Sequence, residues 1–303
     1  RAIVDLASQV ASDSAAPSGI PNLWIKNRTS GSIERNFRLP FIEDLDSLPY
    51  IDRGMWEPWV VAPQNKVSVL VGRGCPYRCA YCSNHAMASL SQGKYVRFRS
   101  PESIIGEIKD VCHQYPEVRD IYLEVETIGA SMGNALELFK ALAEYNSQRS
   151  ERLNFSMNLA VHSTFVRREE RVREFFEYCQ KANVVRLSVG LESGSERMRQ
   201  LLRRPHYSNA ELIAFTSMAK KFGISITVYA LIGLPDETPK DFLETVEAVR
   251  AIRPEQVYLS IFYPYIGTDL YETAKALGLI PPSGLEPTGE RRRAVLDLPG
   301  FPR

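Results

Sequence analysis

A chain of 303 residues is long enough for one large domain or two ordinary ones. With 37 Lys and Arg against 36 Asp and Glu, its net charge of +1 gives no global attraction to nucleic acid or to an anionic membrane. Five cysteines, three of them clustered, argue against a disulfide framework and for a reducing compartment such as the cytoplasm, and no run approaches the roughly 18 apolar residues of a membrane-spanning helix.

The chain begins with Arg1 and shows no signal peptide, so a fragment of a longer polypeptide is expected. Residues 1–64 are rich in Pro, Ser, Asp and Asn without sustained periodicity, and they read as an extended lead-in with at most one short helix. From Val67 the pattern changes. Short β-branched runs recur at Val67–Val71, Asp120–Val125, Asn154–Val161, Val184–Leu191, Ile224–Leu231 and Gln256–Phe262, each followed by a helical pattern. Such alternation implies a parallel sheet covered by helices. Helix starts are marked by Ser100 before Pro101, by the capping box Ser208-Asn209-Ala210-Glu211, and by Thr238-Pro239-Lys240-Asp241. Glu169 and Arg173 form an exposed i,i+4 pair, and Cys112 and Cys179 lie in helical patterns as small buried hydrophobes. Six strand–helix units are too few to close an eight-unit barrel. The expected fold class is therefore α/β, an open (β/α)6 partial TIM-type barrel over residues 65–280, with a doubly wound sheet as the alternative. Residues 281–303 read as a tail in which Arg291-Arg292-Arg293 is solvated surface.

The chemistry concentrates where the first strand ends. Cys75, Cys79 and Cys82 stand in the run Gly-Arg-Gly-Cys-Pro-Tyr-Arg-Cys-Ala-Tyr-Cys, residues 72–82. Parallel α/β folds gather ligands at the C-terminal ends of their strands. Three thiolates can hold three irons of a cubane that usually takes four cysteines, leaving one iron free to bind a small molecule. A zinc site of Cys75, Cys79, Cys82 and His85 is open on the same spacing.

Other strand ends carry candidates too. Glu124 and Glu126 share one face of the second strand, where Glu126 meets an amino group if that face lines the interior; otherwise both are surface charges. Arg97 and Arg99 share a face that meets either an anionic ligand group or a local carboxylate. Gly190-Leu191-Glu192-Ser193-Gly194-Ser195 closes the fourth strand. There Glu192 suits sugar hydroxyls or an amino group, the glycines let backbone approach a ligand, and Ser193 or Ser195 caps the next helix. Gly233-Leu234-Pro235 shapes a turn that either packs on a flat adenine or is turn chemistry alone. After the sixth strand Tyr263 and Tyr265 line a pocket or pack, and Thr268 caps the helix Asp269–Leu277 ahead of Gly278. The four histidines show no metal spacing among themselves.

In this order the motifs resemble the radical S-adenosylmethionine (SAM) domain of the cobalamin-binding radical SAM family, over about residues 40–280. Asp44-Leu45-Asp46-Ser47-Leu48-Pro49 resembles the lead-in, and Cys75-Pro76-Tyr77-Arg78-Cys79-Ala80-Tyr81-Cys82 the cluster loop. Arg97-Phe98-Arg99-Ser100-Pro101-Glu102 resembles the start of the first barrel helix, and Gly190–Ser195 the ribose-side SAM motif. Gly233–Thr238 and Tyr263–Thr268 resemble the last two turns. The resemblance implies a 4Fe–4S cluster on Cys75, Cys79 and Cys82, with SAM held by Tyr81, Glu126, Glu192, Ser193, Gly233 and Leu234. It implies reductive cleavage of SAM to a 5′-deoxyadenosyl radical, hydrogen abstraction from an unactivated carbon and cobalamin-dependent C-methylation. Oxidation or cyclisation without methyl transfer, and methylthiotransferase-like chemistry, are the alternatives. An electron donor such as flavodoxin or ferredoxin and a small-molecule, natural-product or lipid substrate are implied partners, and no nucleic acid is expected. Two departures stand out. Val125-Glu126-Thr127-Ile128 replaces the family's frequent Asp-Asp-x-Phe, leaving the amino-group contact to Glu126. No Asp-x-His-x-x-Gly lower-ligand signature occurs, so either a cobalamin domain lies upstream of the 1–64 lead-in or cobalamin is not used.

Overall fold

The six β-branched runs become six strands of one sheet. The computed structural model describes residues 2–12, 17–59, 65–204, 206–285, 290 and 293–301. In it β1 (Lys66–Leu70), β2 (Asp120–Glu124), β3 (Asn154–Leu159), β4 (Val184–Glu192), β5 (Ser225–Ile232) and β6 (Gln256–Ile261) pair in parallel. Spatial order follows sequence order from β1 to β6. A doubly wound sheet would reverse direction at a switch point. This sheet does not, so the open partial barrel holds.

Each crossover carries a helix: α1 (Pro101–Gln114), α2 (Met132–Ser147), α3 (Glu169–Ala182), α4 (Asn209–Lys221) and α5 (Pro239–Ile252), with α6 (Asp269–Ala276) after β6. Strand alternation decides which residues the helices cover. Val67, Val69, Ile121, Leu123, Phe155, Met157, Leu187, Val189, Ile226 and Val228 share one core with Ile104, Phe139, Phe176, Leu212 and Ala248 from the helices. Burying each large side chain of that kind contributes about 1.5–3 kcal/mol. Cys179 is fully buried in this core and Cys112 half-buried against it. The opposite, inner face carries Ser68, Tyr122, Ser156, Asn158, Ser188, Thr227 and Tyr229. Parallel sheets are usually apolar on both faces; this one is polar inside.

The caps follow the sequence. Ser100, Ser208, Thr238 and Thr268 accept from their helices, with full capping boxes at Glu211 and Asp241. The Glu169–Arg173 pair forms at 3.7 Å on an exposed face. Asp241 does more than cap: its carboxylate accepts from Thr238 Oγ1 at 2.6 Å, Ser195 Oγ at 2.7 Å and Arg197 Nη2 at 2.6 Å. Burial alone would raise its pKa, but these hydrogen bonds outweigh burial and hold the carboxyl well below the ordinary range. A depressed carboxyl adds stability above its unfolded pKa of about 3.9 that is lost as pH falls toward the folded value. Asp241→Asn is therefore expected to cost about 2 kcal/mol at pH 7 in urea unfolding, with the gap closing below about pH 4.

Both ends carry ordered elements that pack on the barrel. The lead-in contains a helix (Ala2–Ala11), a hairpin of Trp24–Lys26 with Ile33–Arg35, and a 3-10 turn (Gly54–Trp59). It lies on the barrel: Leu45 is buried, Asp46 accepts the Ser100 N–H at 3.1 Å, and Arg53 reaches Glu107 at 2.8 Å. Arg99 pairs with the same Glu107, while Arg97 donates to the Ile42 carbonyl at 2.6 Å. Both arginines are thus structural. In the tail, Val295 and Leu296 are buried against Phe262 and Leu279, and of the triple arginine only exposed Arg293 falls within the described residues. Among the described residues no helix is long and apolar enough to cross a membrane.

Candidate functional site

The cysteine loop springs from the end of β1 and is closed at its base by a two-residue antiparallel pairing of Gly72–Arg73 with Arg97–Phe98. Gly74 has φ +89°, and a Cβ there would stand 2.3 Å from the Tyr95 carbonyl oxygen, so only glycine fits. Its N–H donates to Glu126 Oε1 at 3.0 Å. Mid-loop, the Ala80 N–H donates to the Leu202 carbonyl at 3.0 Å, and the Ala80 carbonyl accepts the Leu270 N–H at 3.0 Å. The loop is therefore held by two segments far along the chain. Ala80 and half-buried Tyr81 also join a second apolar cluster with Met198, Leu234, Phe262 and Leu270.

Above the ends of the strands a cavity of about 170 Å³ gathers Cys75, Cys79, Cys82, Tyr81, Glu126, Glu192 and Arg204. Burial pushes the Cys75 thiol up to about 11 and also raises Cys79. Arg204, unforeseen in the sequence, is the charged centre of the cavity wall. It donates to the Gly190 carbonyl at 3.0 Å and the Tyr81 hydroxyl at 3.3 Å, and lies 3.6 Å from Cys79 Sγ and 3.8 Å from Glu192 Oε1. Burial works against its charge, but Tyr81, Tyr207, Glu192 and Cys79 around it win and strengthen the cation. Its buried Nε has no partner among the described residues. Burial raises the Glu192 carboxyl, with Arg204 and Tyr81 pulling the other way. Glu192 itself is left-handed, φ +59°, beside a register shift in the β4–β5 ladder that turns it at the strand end.

Of the sequence candidates, Tyr81, Glu126 and Glu192 meet the three thiols; Ser193, Gly233 and Leu234 do not. Ser193 is fully buried, its hydroxyl accepting the Ser195 N–H at 3.2 Å, and Ser195 rather than Ser193 caps the short helix Glu196–Leu201. The Gly233 and Leu234 N–H groups both donate to Glu237 Oε2, at 2.6 and 3.1 Å. Glu124 shares the face of Glu126 but lines a separate cavity beside Arg73 and Arg99. Tyr263 and Tyr265 pack on one another at 5.4 Å, outside the thiol cavity. His85 is also outside it, its Nε2 3.7 Å from Asp269 Oδ2. Among the described residues no three His, Cys, Asp or Glu groups converge on a single-ion position, as tetrahedral zinc demands. Tyr77 and Gly190 of the quoted motifs also line it, with Asn84, Asn158, Ser188 and Tyr229.

Of the glycines near Glu192, Gly190 lines the cavity and Gly194 serves packing. A Cβ on Gly194 would lie 2.3 Å from the Glu244 carbonyl oxygen of α5. Backbone cannot yield as a side chain tip does, so Gly194→Ala is expected to cost about 3 kcal/mol in denaturant unfolding.

The family model described as the Radical SAM superfamily matches residues 69–249, more than half of the chain. The chain belongs to the radical SAM superfamily. Domains of this family bind a 4Fe–4S cluster and SAM, and a cavity combining three thiols, two carboxylates and a buried arginine fits both. An uncharacterized methyltransferase, PH0819, of Pyrococcus horikoshii is 24% identical over 85% of this chain and 53% of its own length. A tRNA-2-methylthio-N(6)-dimethylallyladenosine synthase of Aquifex aeolicus is 28% identical over 84% of this chain and 55% of its own. The chain thus spans about half the length of the curated relatives it matches. Among solved structures, the fold is similar to that of the radical SAM methyltransferase TsrM from Kitasatospora setae, bound to cobalamin and a 4Fe–4S cluster. That match has TM-score 0.66 at 18% identity, over 92% of this chain and 53% of that one. The fold is also similar to OxsB, a cobalamin-dependent SAM radical enzyme bound to aqua-cobalamin and SAM, with TM-score 0.75 at 15% identity over 97% of this chain and 47% of that one.

Proposed function

We propose that this chain is the catalytic barrel of a radical SAM enzyme that abstracts hydrogen from an unactivated carbon, in the service of cobalamin-dependent C-methylation. The carrying observation is the meeting of Cys75, Cys79, Cys82, Glu126, Glu192 and Arg204 on one cavity. When bound, the 4Fe–4S cluster supplies one electron to the SAM sulfonium, which splits into methionine and a 5′-deoxyadenosyl radical. The Cys75, Cys79 and Cys82 thiolates would hold the cluster, and the rest of the cavity would be left to SAM. Glu126 would receive the ammonium, the Arg204 guanidinium on the cavity wall would favour the carboxylate by charge, and Glu192 would accept from the ribose hydroxyls. Tyr81, packed into the second apolar cluster, fixes the loop between its last two cysteines and helps exclude water. Ser193, Gly233 and Leu234 act at one remove by shaping the turns behind Glu192 and beside Glu237.

Methyl transfer is supported by the similarity to a methyltransferase and by the fold shared with two cobalamin-dependent enzymes. Cobalamin would be bound by a domain that the 1–64 lead-in joins to the barrel, and flavodoxin or ferredoxin in the cytoplasm would supply the electron. Methylthiotransferase chemistry is the second reading, favoured by relatives such as the Aquifex aeolicus enzyme. A second cysteine trio would suit it, yet Cys112 and Cys179 sit singly in separate helices. The test is anaerobic reconstitution with iron and sulfide, reduction, addition of SAM and mass spectrometry of 5′-deoxyadenosine. A brown protein that forms it is expected; a colourless protein that takes zinc instead would sink the proposal.

A further inference from the structure

Side-chain N–H donors face two of the cavity's thiols. Arg204 reaches Cys79 Sγ at 3.6 Å, and Asn84 Nδ2 donates to Cys82 Sγ at 3.7 Å. Asn84 opens the short helix Asn84–Ala88. Asparagine is common at helix starts because its side chain caps backbone N–H groups. Here, among the described residues, that side chain bonds only Cys82 and Tyr95. Its Oδ1 accepts the Tyr95 hydroxyl at 2.7 Å. A phenol keeps its proton at neutral pH, so the amide oxygen is held at Tyr95 and the amide nitrogen faces the sulfur. A flipped amide would set an oxygen lone pair against the sulfur, which a thiolate rejects. Tyr95 is itself fixed from two sides. Its ring packs on Phe41 of the lead-in, centroids 5.3 Å apart and tilted by 58°, and its carbonyl accepts Arg97 Nε at 3.0 Å.

The potential of an iron–sulfur cluster depends on the hydrogen bonds to its sulfurs. Donors favour the reduced form, whose extra charge spreads onto sulfur. We infer, resting on the cysteine assignment proposed above, that Asn84 acts through Cys82 to raise the cluster's reduction potential, and that Tyr95 acts through Asn84. Reduction adds one electron from the donor and makes or breaks no bond. The net effect of one neutral hydrogen bond is modest, about tenfold in the reduction equilibrium, or about 59 mV for one electron.

The experiment titrates the reconstituted protein anaerobically with dithionite, before SAM is added, and reads the reduced cluster by EPR. Asn84→Leu, close to asparagine in shape, should lower the midpoint by about that amount. Tyr95→Phe keeps the ring on Phe41 but frees the amide, and should lower it by less. Together they should shift no further than Asn84→Leu alone, because the tyrosine acts only through the amide. Asn84→Asp keeps the acceptor for Tyr95 and loses the N–H. It should lower the midpoint further, and it carries the test if Asn84→Leu takes no cluster. A midpoint unmoved in the Asn84 or the Tyr95 variants overturns the inference, as does a Tyr95→Phe shift that adds in full to that of Asn84→Leu. Formation of 5′-deoxyadenosine is then measured in the same samples after SAM is added. The expected shifts without product uphold the relay and remove the radical chemistry. Product with unmoved midpoints removes the relay alone, and a colourless wild type that takes zinc removes both.

Discussion

Arg204→Met is expected to lower stability by about 3 kcal/mol or more and to weaken SAM binding together with it. Arg204 is 8% exposed and its guanidinium joins four groups: the Gly190 carbonyl, Tyr81, Cys79 and Glu192. Methionine refills much of the volume, so the cost is electrostatic rather than a cavity. It falls chiefly on Glu192, whose carboxyl burial already raises and whose cationic neighbour would be gone. An acid with a raised folded pKa is relatively most stabilising below its unfolded value, near 4.3, and that contribution is lost as pH rises through the folded value. The deficit of Arg204→Met should therefore grow between pH 5 and pH 8 in denaturant unfolding. Adding Glu192→Gln should recover much of it at pH 8, and a double-mutant cycle reads the coupling directly. A deficit that is flat with pH and unmoved by Glu192→Gln would mean the arginine serves packing alone.

Cys79→Ala is expected to abolish brown colour and 5′-deoxyadenosine while costing only about 1 kcal/mol of stability, since the thiol is small and its loss leaves little space. Cys179→Ala is the matched contrast. That thiol is fully buried in the core and held neutral by burial, so its loss should leave colour and product intact. Product from the Cys79 variant would refute its assignment as a ligand.

Local rules made much of this legible from sequence. The six strands fall within one or two residues of the β-branched runs, because alternation and flanking caps are encoded over a few neighbouring positions. The cysteine loop was legible for the same reason: its three thiols lie between positions 75 and 82. Arg204 was not, since it sits in an aperiodic segment and gains its role only by meeting Cys79 and Gly190 across the fold. Gly194, beside Glu192, misled in an instructive way. A missing Cβ shows that something comes close, but only the fold says that at Gly194 it is the backbone of α5. The polar inner face was written as alternation at Ser156/Asn158 and Thr227/Tyr229, yet alternation cannot say which face turns inward.

The clamp on Ala80 sets a timetable for the protein's birth. The three thiols leave the ribosome ahead of the Leu202 carbonyl and the Leu270 N–H that grip their loop, which follow after most of the barrel has been synthesised. Iron delivered to the nascent chain meets thiols without walls, so metal loading belongs after folding. A chain stalled before Leu270 should stay colourless under conditions that turn the finished protein brown.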